Sequence, residues 1–352
     1  MPLRTRICDI LGTEHPIVLG GLTGPGFPDL AAAVSEAGCL GVFCAHMAGS
    51  PKRLQEWIDS MDTLTSKPWG VNMTILRNLH AGDELAEVLE RSEKVKVVET
   101  AGSSPEKYIK QFKSAGKICI HKCTSIRHAM SAIKYGADII SLDGFECAGH
   151  PGEDDVGNYV LQARGAEMLT VPYICSGGVS TGRQLAAALA LGADGVNLGT
   201  VLCVTQESNW PEAFKKSMVS SDEVETCLIN RPFKSTSRFY KNNLAKQVLD
   251  VEKSKGDKIK YEDVKHLTAG ARRREAWRKG DVHECMVSAG QGIGLIHDIP
   301  TVKEVVDRMV KEAEETIFGR LSAMGVRSEA GPPASFPSTS GPVLSPVAMA
   351  KL

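Results

Sequence analysis

One histidine in this chain of 352 residues stands in a setting suited to proton chemistry. His150 lies in the segment DGFECAGHPGEDDVG, residues 143–157, between Gly149 and Gly152 and directly after an apolar run. The glycines leave room for a ligand beside the imidazole, which can accept or donate a proton near neutral pH. His150 is therefore the candidate catalytic residue. Three acids follow it: Glu153, Asp154 and Asp155. They are placed to orient the loop or to favour the charged imidazolium.

Two glycine-rich loops are suited to phosphate. In CSGGVSTGRQ, Ser176 precedes Gly177 and Gly178, whose lack of side chains permits close backbone approach, and a helix N-terminus follows. In NLGT, Gly199 and Thr200 offer an amide and a hydroxyl. Neither loop has the lysine of a P-loop, and GGLTGPG at 20–26 does not match GxGxxG. The pair predicts a phosphate cup, although tight turns alone would use the same glycines.

Polar or small residues end three further apolar runs. Gly20, Gly21 and Leu22 close the first run with little bulk, so that a flat ring can lie against the backbone. Asn72 offers an amide that both donates and accepts, and Lys122 offers a positive charge. Each residue alone has a structural explanation. Their common position after strands favours a ligand site, with Asp143 and Glu146 as weaker candidates.

The elements that carry these residues alternate between short strands and amphipathic helices. Strands are predicted to start near residues 16, 41, 69, 95, 117, 138, 171 and 195. Eight such units predict a (β/α)8 TIM barrel, with an open doubly wound sheet as the alternative. In a barrel of this kind the loops after the strands share one face, which would bring the candidate residues together.

The composition changes after strand eight. Residues 1–215 are predicted to form the barrel, completed by an amphipathic helix within 297–324. The charge-rich stretch 216–296 predicts a helical substrate or lid domain, and the Pro, Ser and Gly-rich stretch 325–352 predicts a disordered tail.

The charge balance and the cysteine content limit the classes of partner that the protein is expected to have. With 41 basic and 42 acidic residues, no electrostatic footprint favours nucleic acid or a membrane surface. The ten cysteines lack CxxC pairs and metal-site spacing, so they are expected to be buried thiols in a reducing compartment, without a metal. No signal peptide or membrane span is recognisable. A small-molecule partner is expected, and the oligomeric state stays open.

Over about residues 5–320 the chain resembles the nitronate monooxygenase family, formerly the 2-nitropropane dioxygenases. The segments that carry the resemblance are PIVLGGLTG, LAAAVSEAGCLGVF, GVNMT, IHKCTS, GADIISLDGFECAGHPGE, VPYICSGGVSTGRQLAAALALGADGVNLGT and SAGQGIGLIHDIPTVKEVV. The AGH segment together with SGGVSTGRQ is the most specific part. SGGVSTG loops alone occur in other phosphate-binding barrels.

The resemblance implies FMN, with the isoalloxazine ring near residues 20–22, 72 and 122 and the phosphate at the two glycine-rich loops. It also assigns Gly149, Ser176 and Gln291 to the cofactor. His150 and Ser288 are assigned to the substrate, and the SAGQ segment is expected to close over the flavin. The implied reaction converts alkyl nitronates, and also nitroalkanes, with O2 to carbonyl compounds and nitrite. His150 would hold the nitronate or take the α-proton of a nitroalkane.

Two departures from the family pattern lie near the expected cofactor. Val201 and Leu202 stand where Arg-Phe is common, and Leu22 stands where methionine is frequent. These changes are expected to affect the identity of the substrate more than the binding of FMN. An NAD(P)H-dependent flavin reductase of the enoyl-reductase type is the first alternative, and a non-redox barrel that binds a phosphate ester is the second.

The chain ends in Ala350, Lys351 and Leu352, which approximate the SKL peroxisomal address. In a eukaryote this ending predicts binding to a peroxisomal import receptor. In a bacterium the match carries no meaning, and a cytoplasmic location is expected instead.

Overall fold

The computed structural model describes residues 3–75, 82–268 and 270–324. The predicted tail at 325–352, with its AKL ending, lies outside the described residues. Among those that are described, no helix is long and apolar enough to cross a membrane. All ten cysteines are free and buried, as expected for structural thiols.

Eight parallel strands close into a barrel in which β1 pairs with both β2 and β8. The strands are β1 Ile17–Leu19, β2 Leu40–Cys44, β3 Trp69–Ile75, β4 Val97–Gly102, β5 Ile118–Cys123, β6 Ile139–Asp143, β7 Tyr173–Ser176 and β8 Gly195–Leu198. The prediction of a TIM barrel is confirmed, and all eight starts fall within two residues of the expected ones. The open sheet is excluded because β1 and β8 are hydrogen-bonded to each other.

Helices surround the barrel and extend from its loops. They are α1 Arg6–Leu11, α2 Pro28–Glu36, α3 Ala45–Ala48, α4 Pro51–Leu64, α5 Gly82–Arg91, α6 Glu106–Ser114, α7 Ile126–Tyr135, α8 Asn158–Met168, α9 Gly182–Ala190, α10 Thr200–Cys203, α11 Glu212–Val219, α12 Asn243–Lys255, α13 Tyr261–Thr268, α14 Gly270–Lys279, α15 Val302–Glu314 and α16 Ser322–Met324. Short 3₁₀ helices lie at Arg231–Phe233, Gly256–Lys258 and Gln291–Leu295, and a π-helix lies at Glu315–Leu321.

The barrel interior changes from apolar to polar along the strands. Its lower part is a cluster of branched side chains that α1 closes from below: Ile7, Leu11, Val18, Leu40, Val42, Val97, Ile120, Ile139 and Ile174. Side chains two positions further along a strand lie on the same face. Four of these apolar residues are followed at that spacing by a polar one: Glu99, Lys122, Ser141 and Ser176. The apolar layer therefore supports a polar layer at the carboxyl ends of the strands.

The segment after strand eight contains more than helices. Besides α12 to α14 it holds a two-stranded antiparallel sheet, β9 Thr226–Ile229 and β10 Ser237–Tyr240, which the sequence pattern did not reveal. A separate apolar cluster joins this sheet to α12 and α13, with Ile229, Leu244, Val248 and Val264 fully buried. The segment thus has a small core of its own beside the barrel.

Helix α15 packs against α9, the helix that follows strand seven. A capping box starts α15, since Thr301 accepts from the Glu304 amide and Glu304 accepts from the Thr301 amide. Its buried face includes Val302, Val306 and Met309. At Gly182 the two helices come so close that an added Cβ would lie 2.1 Å from the carbonyl oxygen of Met309.

We therefore expect Gly182→Ala to lower the free energy of unfolding by about 1–3 kcal/mol, because the new methyl must push α15 away from α9. Urea denaturation followed by circular dichroism measures this change. Gly319→Ala is the matched control, since an added Cβ there meets no atom within 4 Å in the described part of the chain. Equal stability of the two variants would contradict the close contact of the two helices.

Candidate active site

A cavity of ≈ 830 Å³ opens at the carboxyl ends of the strands. Nine of the residues singled out in the sequence line it together with the weaker candidate Asp143: Gly21, Leu22, Asn72, Lys122, Gly149, His150, Gly199, Thr200 and Ser288. They come from β1, β3, β5, β6 and β8 and from the segment after strand eight, so only barrel closure could bring them together.

Five other singled-out residues lie behind this wall: Gly20, Ser176, Gly177, Gly178 and Gln291. The amide of Gly20 donates to Asn197 Oδ1 at 2.7 Å, and Asn197 Nδ2 donates to Ser176 Oγ at 2.9 Å. The amide of Gln291 donates to the carbonyl of Glu146 at 3.0 Å. These hydrogen bonds hold in place the residues that line the cavity.

The two glycines after strand seven both have a left-handed backbone, with φ of 98° at Gly177 and 71° at Gly178. An added Cβ at Gly177 would lie 2.8 Å from Cys147 Cβ, and one at Gly178 would lie 2.8 Å from Glu146 Cβ. Of the predicted phosphate cup, Gly199 and Thr200 line the cavity, whereas the absence of side chains at Gly177 and Gly178 lets the first loop pack against residues 146–147.

A buried carboxylate that the sequence analysis did not single out organises the cavity floor. Glu99, only 1% exposed, accepts hydrogen bonds from the amide of Gly21 at 2.9 Å and from Asn72 Nδ2 at 2.7 Å, both on Oε1. An added Cβ at Gly21 would lie 2.0 Å from Asn72 Cγ, so this position requires glycine. The clue in the sequence was an acid two residues after a buried valine in the strand VKVVETAG.

Lys122 carries the positive charge of the cavity. Burial acts to lower the pKa of this amine, but the negative charges of Asp143 and Glu99 outweigh it, so the pKa lies above its ordinary value. The Lys122 Nζ lies 4.0 Å from Asp143 Oδ2, while the buried Asp143 Oδ1 has no hydrogen-bond partner among the described residues. Lys122 is therefore a permanent cation, and Asp143 has an unused acceptor at the cavity.

The His150 side chain is exposed to the cavity, yet the protein packed around it lowers the pKa of the imidazole below its ordinary value. Glu153 acts in the opposite direction with a smaller effect. The following acids were expected to favour the imidazolium. Glu153 does so, but the effect of burial is larger. The imidazole is mainly neutral at pH 7, which is the form that can accept a proton.

Two of those acids, Glu153 and Asp155, instead fasten the His150 loop to the segment after strand eight. Gly149 forms a two-way backbone bridge with Arg238 of β10, at 3.2 and 2.6 Å. Glu153 accepts from the Thr236 amide at 2.9 Å, and Asp155 pairs with Arg231 at 2.8 Å. Since β10 belongs to the inserted segment, that segment positions the histidine.

The same segment supplies an apolar side to the cavity. Phe239, Trp277 and Val287 line it together with Ser288, and Trp210 lies beside them. The sequence analysis expected SAGQ to contribute but missed these aromatic residues, because the surrounding stretch is dominated by charge. The departures Val201 and Leu202 are 6% and 0% exposed and pack into the barrel core.

The donor set and the open space fit a flavin. Added Cβ atoms at Gly149 and Gly199 would lie no closer than 3.8 Å to any atom of the neighbouring residues that the structure describes, so the lack of side chains leaves room for a planar ring. Lys122 provides a cation, and Asp143 Oδ1 provides an acceptor for a hydroxyl. The cavity thiols of Cys123 and Cys203 stay protonated, because burial raises the pKa of both, that of Cys203 to about 12.

Comparison with known proteins agrees with this geometry. The nitronate monooxygenase family profile matches residues 4–312. The chain belongs to the nitronate monooxygenase family. It is accordingly a flavin-dependent oxidoreductase whose family points to a small-molecule substrate and O2.

The relatives differ in what they act on. A Rhodococcus jostii protein named (3aS,4S,5R,7aS)-5-hydroxy-7a-methyl-1-oxo-octahydro-1H-indene-4-carboxyl-CoA dehydrogenase is 29% identical over 92% of this chain and 98% of that protein. FabK from Thermotoga maritima has a TM-score of 0.84 at 32% identity, covering 92% of this chain and 99% of FabK. A nitroalkane oxidase from Streptomyces ansochromogenes has a TM-score of 0.76 at 26% identity, covering 89% and 99%.

The surroundings of His150 predict its titration. In an NMR titration of the ring signals of His150 we expect a midpoint below 6.5, because burial disfavours the imidazolium. Glu153→Gln should lower the midpoint further, since it removes the charge that favours protonation. Asp154→Asn is the control and should leave the midpoint in place. A midpoint above 6.5 in the unaltered protein would contradict a lowered pKa of His150.

Proposed function

We propose that this protein binds FMN and oxidises alkyl nitronates with O2 to carbonyl compounds and nitrite. The observation that carries the proposal is a neutral imidazole, His150, that lines the same cavity as the Lys122 cation, with open space at Gly149 and Gly199. When bound, the flavin would accept electrons from the substrate and pass them to O2.

The residues would divide the binding of FMN between two parts of the cavity. Gly21, Leu22, Asn72 and Lys122 would contact the ring, and the amide and hydroxyl of Gly199 and Thr200 would face the phosphate. The Thr200 hydroxyl already accepts from the Gly290 amide at 3.0 Å, so its own proton is available for a phosphate oxygen. The monophosphate, rather than a dinucleotide, is favoured because no GxGxxG loop is present in the sequence.

His150 would act on the substrate in one of two ways. Toward a neutral nitroalkane, its free nitrogen would accept the α-proton, while toward a nitronate it would hold the anion in place. The neighbouring Ser288 hydroxyl lines the same cavity and would supply a further hydrogen bond. Neutral imidazole is required for the first role and is the form that burial favours.

An NAD(P)H-dependent flavin reductase is the second candidate. It is supported by the likeness to FabK, an enoyl reductase, over nearly the whole chain. The two functions differ in what reduces the flavin. Membership in a flavin-dependent family gives no support to the third alternative, a barrel without redox chemistry.

Anaerobic mixing of the flavin-loaded protein with propionate 3-nitronate or with NADPH separates these candidates. We expect the nitronate to bleach the flavin absorbance and NADPH to leave it. His150→Ala should retain the flavin yet lose about 10² to 10⁴ of the rate with the neutral nitroalkane, because a positioned base contributes that much. The loss with the preformed nitronate should be smaller, since no proton has to be removed.

The reverse pattern, with bleaching by NADPH alone, would replace the proposed function by the reductase. An equal rate loss of His150→Ala on both nitro substrates would remove proton transfer from the role of His150.

Gly199 tests the phosphate position. We expect Gly199→Asp to abolish flavin retention, because its carboxylate would enter the cavity and repel the phosphate, whereas the isosteric Gly199→Asn should retain much more. The flavin-to-protein absorbance ratio and mass analysis of the released cofactor measure both retention and identity. Equal retention in the two variants, or release of FAD, would contradict the proposal.

A further inference from the structure

The apolar side of the cavity is not used by the flavin and nitronate assignments. Four side chains form it: Trp210, Phe239, Trp277 and Val287. We call them the aromatic wall. All four lie after strand eight, whereas the ring contacts proposed for the flavin lie at β1, β3 and β5. The aromatic wall is therefore available to a substrate.

The two tryptophans of the aromatic wall are held by a third ring behind them. The fully buried Phe214 has its ring centroid 5.5 Å from that of Trp277 and 6.3 Å from that of Trp210, and both pairs meet edge to face. This is a favoured arrangement of aromatic rings. Trp277 is only half-buried, so part of its side chain stays accessible from the cavity. A flat apolar group can bind there without first ordering these side chains.

Strand β10 connects the aromatic wall to the residues proposed to contact the substrate. Phe239 lies in β10 between a residue whose backbone bonds to Gly149 and a residue whose amide donates to the Val287 carbonyl at 2.8 Å. His150 follows Gly149 in the chain, and Ser288 follows Val287. A substrate that is held by His150 and Ser288 thus has the aromatic wall beside it.

The aromatic wall itself carries no charge. Among the described residues that line the cavity, Lys122 is the one lysine or arginine, and it is assigned to the flavin. A carboxylate at the far end of a substrate would therefore lose its hydration beside these rings without gaining an ion pair, which is unfavourable. An apolar end would gain from the same burial.

We propose that the preferred substrates are arylalkyl nitronates, and that Phe239 and Trp277 determine this preference. The nitronate group lies at His150 and Ser288, and the aromatic end packs against the aromatic wall. Short alkyl nitronates leave the wall uncovered, and propionate 3-nitronate places a carboxylate against it, so both are poorer substrates. The inference rests on the proposed function only in the identity of the reacting group.

Carboxylates test the preference without turnover, because a carboxylate has the planar, two-oxygen geometry of a nitronate. The matched analogues of the nitronates of 2-phenylnitroethane, nitroethane and propionate 3-nitronate are 3-phenylpropionate, propionate and succinate. In titrations of the flavin-loaded protein followed by flavin absorbance, we expect 3-phenylpropionate to bind about tenfold or more tightly than propionate. Succinate should bind most weakly. Equal affinities for 3-phenylpropionate and propionate, or tightest binding of succinate, would overturn the proposal.

Substitution of Trp277 tests the role of the aromatic wall. Trp277→Ala should reduce the preference for 3-phenylpropionate over propionate about tenfold, because the ring contact is lost. Trp57→Ala is the matched control and should keep the preference. Trp57 is also half-buried, with its ring centroid 5.2 Å from that of Phe27, but it lies outside the cavity.

A gain of binding keeps the test valid if truncation disturbs folding. Trp277→Arg should raise the affinity for succinate relative to propionate, since it supplies a cation for the second carboxylate. The same preference in Trp277→Ala and Trp57→Ala, or no relative gain for succinate in a flavin-loaded Trp277→Arg protein, would overturn the proposal. Selective binding of 3-phenylpropionate without oxidation of any nitronate would support the aromatic wall and contradict the proposed function.

Discussion

The site depends on one buried carboxylate. Glu99 lies inside the barrel at 1% exposure and accepts hydrogen bonds from the backbone of Gly21 and the side chain of Asn72. A buried charge is tolerated only when it is hydrogen-bonded and compensated, and here Lys122 supplies the opposite charge. Removal of Glu99 would leave the Gly21 amide and the Asn72 side chain without their acceptor, and Asp143 as the remaining carboxylate beside Lys122, at the point where the first strand turns into the cavity.

The barrel separates stability from chemistry along its axis. At the lower end, branched apolar side chains and α1 fill the interior, as Ile120 and Ile174 show. Two residues later along the strands, the same interior face becomes polar, with Lys122 and Ser176 in those positions. Water is therefore kept from the floor, while charges at the mouth act across a short distance in a poorly solvated space.

The segment after strand eight completes the cavity that the barrel loops form in part. The His150 loop leaves β6, but its backbone pairs with β10 at Arg238, and its acids bind Thr236 and Arg231. The histidine is thus held between the barrel and the inserted segment, part of which has an apolar cluster of its own. Its position relative to Lys122 depends on how those units pack, which gives the inserted segment a positioning role beyond covering the cavity.

The sequence by itself determined the architecture and most of the cavity wall. Alternation of strands and helices fixes the barrel, since eight parallel strands can close, and closure places residues such as Asn72, Lys122 and Gly199 on one face. Tertiary structure alone decided the partners of those residues. Three features depend on contacts between distant segments: the acceptor role of Glu99, the bridge from Gly149 to β10 and the pKa of His150. Local sequence pattern and spacing carry no information about such contacts.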